Sequence, residues 1–298
     1  MKKQHKLSII IPTHNRHDNI QNSVRFYSNF STEIRILYLD SSPNSLELEL
    51  DADNIEYIHL PGLSFIEKLN VAIGMISTNN AMLCPDDDFA FERSIELAMC
   101  HMAEKKVSMV SGRIMGFNKG SAYKLDDLYC LDDGKKFRES IYRDHEFFHH
   151  YHQILWSLYD VAVLKSIVNN LLSIRLDNDN FLEMVFAAHA IDQHGISLIN
   201  RPWLVREVSN VGHWGQRHKP LAQCAPVELE QDLRALSTIF TNDLFMNCFS
   251  SYVSSQNKKA KIYNRFLYKL YRVLDDRKMK QSFSSCAEIN KIFEIISR

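Results

Sequence analysis

The chain has 298 residues, 45% hydrophobic and 24% charged, a length and composition typical of a folded soluble protein and not of a disordered one. Its 35 Lys and Arg against 36 Asp and Glu leave a formal charge of −1, so no overall field gathers nucleic acid. No apolar run nears the ~20 residues that span a bilayer. Six cysteines without a close pair suggest neither a zinc knuckle nor a disulfide framework, and a cytoplasmic protein is expected.

Taken in chain order, the N-terminal part alternates short β-rich runs with helical stretches, the pattern of βαβ units in a largely parallel sheet. Strands are expected at 7–11, 34–39, 55–60, 81–84 and 107–114; the first and fourth are nearly continuous apolar runs, as strands covered on both faces require. A helix is expected over 64–76, where Phe65, Leu69, Ala72, Ile73 and Ile76 share a face and Ser64 with Glu67 forms a capping box. A second, over 92–104, repeats the period with Ile95, Ala98, Met99 and Met102. Residues 116–136 read as a loop, because Gly116, Asn118, Gly120, Asp126, Asp127 and Gly134 interrupt every period. Further on, 176–190 reads as a helix opened by acidic residues and ended by Gly195, with a strand at 196–199. After Pro220 helix formers remain without strand signals, so an α/β domain over 1–220 and a helical extension over 221–298 are expected.

Asp86-Asp87-Asp88 follows directly on the fourth expected strand, which puts three carboxylates at the edge where open α/β sheets bind ligands. Hard cations such as Mg²⁺ and Mn²⁺ prefer carboxylate oxygens and keep positions open for substrate phosphates. A solvated acidic turn leading into the next helix explains the same residues, so the neighbouring segments have to decide.

The opening Leu7-Ser8-Ile9-Ile10-Ile11-Pro12-Thr13-His14-Asn15-Arg16, then Tyr38-Leu39-Asp40-Ser41-Ser42, then the run from Gly62 through Asn70 to Asp88 resemble the nucleotide-sugar half of GT-A glycosyltransferases, especially the inverting family-2 type of bacterial surface polysaccharide synthesis. The resemblance implies a Rossmann-like α/β sheet flanked by helices, a nucleotide diphospho-sugar donor and a divalent cofactor, Mn²⁺ or Mg²⁺. On it, Pro12, Thr13 and Arg16 line the nucleotide pocket, Asp40 accepts from the nucleoside, and Lys68 or Asn70 faces the sugar or phosphates. Asp86 and Asp88 form the metal-side pair, with Asp87 able to replace either. Asp40-Ser41-Ser42 departs from the family's usual Asp-Asp-x-Ser, which leaves the base open.

An inverting transfer needs a group that removes the acceptor hydroxyl's proton. Leu176-Asp177-Asn178-Asp179-Asn180-Phe181-Leu182-Glu183 resembles the family's acidic pair at a helix start, which makes Asp179 the expected base, with Asp177 and Glu183 as alternates. Helix capping favours the same residue types, and both readings stand. In Gly212-His213-Trp214-Gly215-Gln216-Arg217-His218-Lys219 the resemblance implies His213 as a further metal ligand, with Arg217 and Lys219 neutralising the diphosphate under a mobile lid. The aromatic-rich stretch 142–159 offers rings for an acceptor glycan or lipid-linked glycan, and core packing explains those rings equally well.

Rivals from other classes are present. His145-Glu146-Phe147-Phe148-His149 matches the zinc-hydrolase pattern His-Glu-x-x-His, which demands a helix and a third ligand. A nucleotidylyltransferase would need a Gly-rich turn that Pro12-Thr13-His14-Asn15-Arg16 lacks, and an inactive nucleotide-sugar-binding module remains open. Lysines and arginines between 258 and 280, spaced with Ile262, Phe266, Leu270 and Leu274, suit either peripheral contact with an anionic membrane or a helix packed on its own domain.

Overall fold

A computed structural model of the chain describes residues 5–48, 52–118, 124–131, 139–208, 218–240, 243–257 and 262–296, without the side chains of 257 and 262–272. The first half runs β1 (Leu7–Thr13), α1 (His17–Tyr27), β2 (Ile34–Asp40), β3 (Ile55–His59), α2 (Phe65–Met75), β4 (Asn80–Leu83), β5 (Asp88–Ala90), α3 (Glu92–Lys105) and β6 (Met109–Asn118). Short strands β7 (Tyr129–Cys130) and β8 (Ser140–Tyr142) precede β9 (Leu158–Asp160), α4 (Val161–Leu172), α5 (Phe181–Gln193) and β10 (Ile196–Val208). Helices α6 (Glu230–Ile239), α7 (Leu244–Asn257), α8 (Ile262–Ser284) and α9 (Ile289–Ile296) follow.

One α/β sheet, ordered β3-β2-β1-β4-β9-β6-β10-β5, carries all of these strands, with β7 beside β6 and β8 beside β10. It is parallel through β3-β2-β1-β4 and mixed beyond, where β9 runs antiparallel to both β4 and β6. Alternation along β1 and β2 sends Leu7, Ile9, Ile11, Ile36 and Tyr38 to one face and Ile10, Leu37 and Leu39 to the other. The first face is covered by α1, α3, the end of α8 and α9, through Ile20, Phe26, Ile95, Phe283 and Ile292. The second is covered by α2, α4, α5, α6 and α7, through Leu69, Ile167, Phe186, Leu236 and Phe245. The helices after residue 220 therefore lie on both faces.

The capping box of α2 forms as the sequence predicts: Ser64 Oγ accepts from Glu67 N and the Glu67 carboxylate accepts from Ser64 N at 2.8 Å. The expected loop at 116–136 is corrected in its described parts. Residues 116–118 continue β6, where a Cβ on Gly116 would lie 2.7 Å from Leu131 Cδ2, so that side chain would have to shift. Residues Leu125–Asp127 form a 3₁₀ turn. The expected strand at 196–199 runs on to Val208, because a register shift at Pro202 absorbs the exposed Asn200 and Arg201 that interrupt its apolar pattern. The expected helix at 176–190 begins only at Phe181, so Asp177 and Asp179 precede it.

Candidate active site

Three parallel strands end side by side. Thr13 closes β1 in register with Asp40 at the end of β2, and Cys84 N donates to Ile10 O, which sets Asp86 just past β4 on the same edge. Thr13 Oγ1 donates to Asp86 Oδ2 at 2.5 Å. Arg16, at the head of α1, reaches across with Nη1 2.7 Å from Asp86 Oδ1 and Nη2 2.9 Å from Asp87 Oδ2. Burial pushes the Asp86 carboxyl up to about 6 even against the pull of Arg16.

Asp40 is the most heavily bonded carboxylate of the edge. Its Oδ1 accepts from Ser42 N at 2.9 Å and from Ser42 Oγ, while Oδ2 takes Tyr57 OH at 2.7 Å and lies 3.1 Å from His17 Nε2. Burial acts to raise its pKa, but these donors prevail and hold it below the ordinary carboxylate value. Lys68 projects from α2 between the strand ends, where Nζ donates to Thr13 O at 2.6 Å and Ser41 Oγ at 3.0 Å. Its ammonium lies in the field of both Asp40 and Asp86, which ties the Asp40 end to the acidic end.

Burial lowers the Lys68 pKa from 10.5 to about 8 despite those two carboxylates. Below about pH 8 folding therefore confines a charged amine. From about pH 8 up to 10.5 the unfolded chain holds more protons than the folded one, so this group's contribution to stability rises with pH. In urea unfolding between about pH 7.5 and 9.5, the wild type is expected to gain on Lys68→Met. Parallel pH curves for the two proteins would show that Lys68 titrates as an ordinary surface lysine.

The third aspartate has a different partner. Asp88 opens β5 directly opposite Arg206 of β10, and it is fully buried. Arg206 Nε donates to Asp88 Oδ2 at 2.9 Å, Nη2 lies 2.8 Å from the same oxygen, and Nη1 donates to Gln153 Oε1 at 2.7 Å. Asp88 Oδ1 has no hydrogen-bond partner among the described residues. Burial lifts Asp88 to about 7, with Arg206 opposing. The strand is pinned from below by Tyr27 of α1, whose hydroxyl donates to Asp88 O at 3.3 Å and accepts from Ala90 N at 3.1 Å. Glu183, in the first turn of α5, also feels Arg206; its Oε1 accepts from Ile154 N at 2.7 Å and Leu155 N at 3.2 Å. Burial raises the Glu183 pKa against those donors.

Arg206 and Gln153 carry no motif in the sequence and are visible only once β5 and β10 pair. Of the residues read from sequence, the fold brings together Thr13, Arg16, Asp40, Lys68, Asp86, Asp87 and Asp88, with Pro12 buried in β1 beside them. Asn70 lies two residues past Lys68, on the opposite and exposed face of α2. Asp179 is partly buried just ahead of α5, where its backbone carbonyl accepts from Leu182 N at 3.0 Å, and the side chain of the cap residue Asn180 makes no cap bond. Asp177 is exposed, 3.8 Å from Arg175, and its N–H is held by Asp232. Lys219 pairs with Glu228 at 3.0 Å on the surface. His213 and Arg217 lie outside the described residues.

The His-Glu-x-x-His segment forms a 3₁₀ turn, His145–His150, in which residues three apart eclipse and those four apart do not. His145 and His149 stand with ring centroids 6.2 Å apart, and among the described residues no group of three or more His, Cys, Asp or Glu is placed to hold a metal ion. The neighbouring aromatics largely fill the core: Phe147, Phe148 and Tyr159 are buried, and Tyr151 stacks on Phe148 at 5.6 Å.

Comparison with known proteins places this edge in a family context. Residues 8–156 match the family described as Glycosyl transferase family 2, half of the chain and the half that holds the three strand ends. Among solved structures, residues 1–349 of S. aureus TarS are similar at 12% identity, with a TM-score of 0.56 over 94% of this chain and 91% of that one. The same fragment in complex with UDP-GlcNAc gives 0.57 at 12% identity over the same shares. A comparison with curated proteins found no match.

Proposed function

The chain belongs to glycosyl transferase family 2, and on that premise we propose that it moves a sugar from a nucleotide diphospho-sugar to a hydroxyl acceptor with inversion at the anomeric carbon. The observation that carries this reading is the convergence of Asp40, Lys68, Thr13, Arg16 and Asp86 on the carboxyl edge of β1, β2 and β4, the edge where such sheets hold nucleotides. The UDP-GlcNAc complex of the similar TarS fold supports a nucleotide-sugar donor. Asp40 receives the nucleoside, and His17, which with Tyr57 is one of its two partly exposed donors, is the group a ribose hydroxyl replaces. Arg16 and the aspartates face the diphosphate. Asp179 takes the proton from the acceptor hydroxyl as its oxygen attacks the anomeric carbon, and the nucleoside diphosphate leaves on the opposite side.

Mg²⁺ or Mn²⁺ fits the acidic set. Asp88 Oδ1 is a buried carboxylate oxygen without a donor among the described residues, and such ions are bound by one or two carboxylates plus substrate phosphates, so a third protein ligand is not required. When bound, the ion supplies charge stabilisation to the departing diphosphate. The proposed acceptor is a glycan or lipid-linked glycan of the bacterial surface. The proposed membrane contact through 258–280 involves Lys258, Lys259 and Lys261, which lie outside the described residues, while Lys280 docks onto Asp126 O at 2.8 Å. Among the described residues no helix is long and apolar enough to cross a membrane.

A thermal-shift screen of UDP-, GDP-, CDP- and dTDP-sugars with and without Mn²⁺ tests the donor reading. A donor at 100 times its Kd is expected to add about 2.7 kcal/mol of stability, a shift of several degrees. No shift with any nucleotide under either condition would overturn it.

A further inference from the structure

Arg16 occupies carboxylate oxygens of the acidic set on which a divalent cation would draw, while Asp88 Oδ1 stays without a donor among the described residues. Its guanidinium spans two of the three carboxylates, Nη1 on Asp86 Oδ1 at 2.7 Å and Nη2 on Asp87 Oδ2 at 2.9 Å. The second arginine of the cluster is held differently. Arg206 is only 15% exposed and is fixed between Asp88 and Gln153, whereas the Arg16 side chain is 39% exposed at the rim. If one guanidinium changes partners, it is Arg16.

Charge says when it does so. The carboxylates of Asp86 and Asp87 are already matched by the Arg16 guanidinium that bridges them. A divalent cation alone meets that guanidinium a few ångströms away in a largely buried place, where like charges repel strongly. A cation that arrives with a diphosphate meets less repulsion, because the phosphates bring negative charge onto which the guanidinium can turn. The planar fork that now spans two carboxylate oxygens fits two phosphate oxygens equally well.

We propose that Arg16 is an exchangeable counter-ion, which neutralises Asp86 and Asp87 until cation and donor diphosphate arrive together, then releases the carboxylates and turns onto the diphosphate. This rests on the donor-and-cation reading above. Its consequence is that cation and nucleotide bind cooperatively, each strengthening the other by the same factor, and that Arg16 is the source of the coupling.

Isothermal titration of the full chain with Mn²⁺ alone, with UDP or GDP alone, and with each in the presence of the other tests this. In the wild type the coupling is expected within the usual range of about 5–150-fold. In Arg16→Gln, bare Mn²⁺ is expected to bind tighter by on the order of tenfold, since one positive charge has left a site a few ångströms away. The nucleotide without metal binds more weakly in that variant, and the coupling falls towards unity. Arg16→Lys keeps the charge and loses the fork, so bare Mn²⁺ stays weak while nucleotide affinity falls between the other two; it also serves if the glutamine variant does not fold. Arg16→Gln that binds Mn²⁺ no better than wild type, or that loses cation and nucleotide alike while melting cooperatively, would make Arg16 a fixed wall of the pocket and overturn the exchange. A wild type that binds no nucleotide with or without Mn²⁺ is a separate result, which removes the donor reading and this inference with it.

Discussion

Asp88→Asn is expected to reduce sugar transfer by on the order of 10³-fold or more, and unlike a surface substitution it is also expected to lower stability. The first effect follows from the free Oδ1: the amide takes away the charge that suits this position to a cation, and several kcal/mol of transition-state stabilisation go with it. The second follows from Arg206, which keeps an oxygen to bond but is left as a buried cation without its carboxylate. Breaking a buried pair costs about 3–5 kcal/mol, and an amide that retains the hydrogen bond belongs at the low end. The two effects separate in the double variant Asp88→Asn with Arg206→Met, because with both charges gone no unpaired buried ion remains. Urea unfolding should recover in that variant while initial rates with the donor found by the screen stay low. Recovered transfer would reduce Asp88 to a counter-ion for Arg206 and remove the cation from this position.

The parts of the site that the sequence makes legible are those set by local pattern. β1 and β4 are apolar runs covered on both faces, so their ends, and with them Thr13 and Asp86, are readable from the chain. The α2 cap is readable for the same reason, since Ser64 and Glu67 are three residues apart. Lys68 and Asn70, read from the sequence as alternatives, lie on different faces of the helix: two residues are about 200° apart around its axis and only Lys68 is buried against the strand ends. Asp40-Ser41-Ser42, a departure from the family pattern, has a local reason as well: Ser42 turns back to give both its N–H and its hydroxyl to Asp40. What was not legible depends on distant pairing. Asp88-Phe89-Ala90 is too short to carry a strand period, and its partner Arg206 is 118 residues further on, in a strand whose pattern is broken by Asn200 and Arg201. The acidic triplet is therefore not one uniform turn. Asp86 and Asp87 belong to Arg16, and Asp88 belongs to a β-ladder.

Asp179→Asn is expected to lower kcat by about 10²–10⁴-fold while leaving donor affinity nearly unchanged, the signature of a group that moves a proton in the transition state. Three acidic residues at this end of α5 are candidates for the role; Asp177 is exposed beside Arg175, and the surroundings of the other two differ. Glu183 spends Oε1 on the amides of Ile154 and Leu155, so its carboxylate is committed to holding the 154–155 segment against the helix. Asp179, four residues earlier and partly exposed, has no amide held by its carboxylate among the described residues, and it is the residue proposed as the base. Glu183→Gln keeps an acceptor oxygen for those amides but removes a negative charge near Arg206, so the change expected there is in stability and in KM, with kcat falling less than in Asp179→Asn. Initial rates and calorimetric donor affinity measured on both variants decide the assignment. A large kcat loss in Glu183→Gln with a mild one in Asp179→Asn would reverse the two roles, and equal losses of kcat and donor affinity in Asp179→Asn would make that residue part of the scaffold.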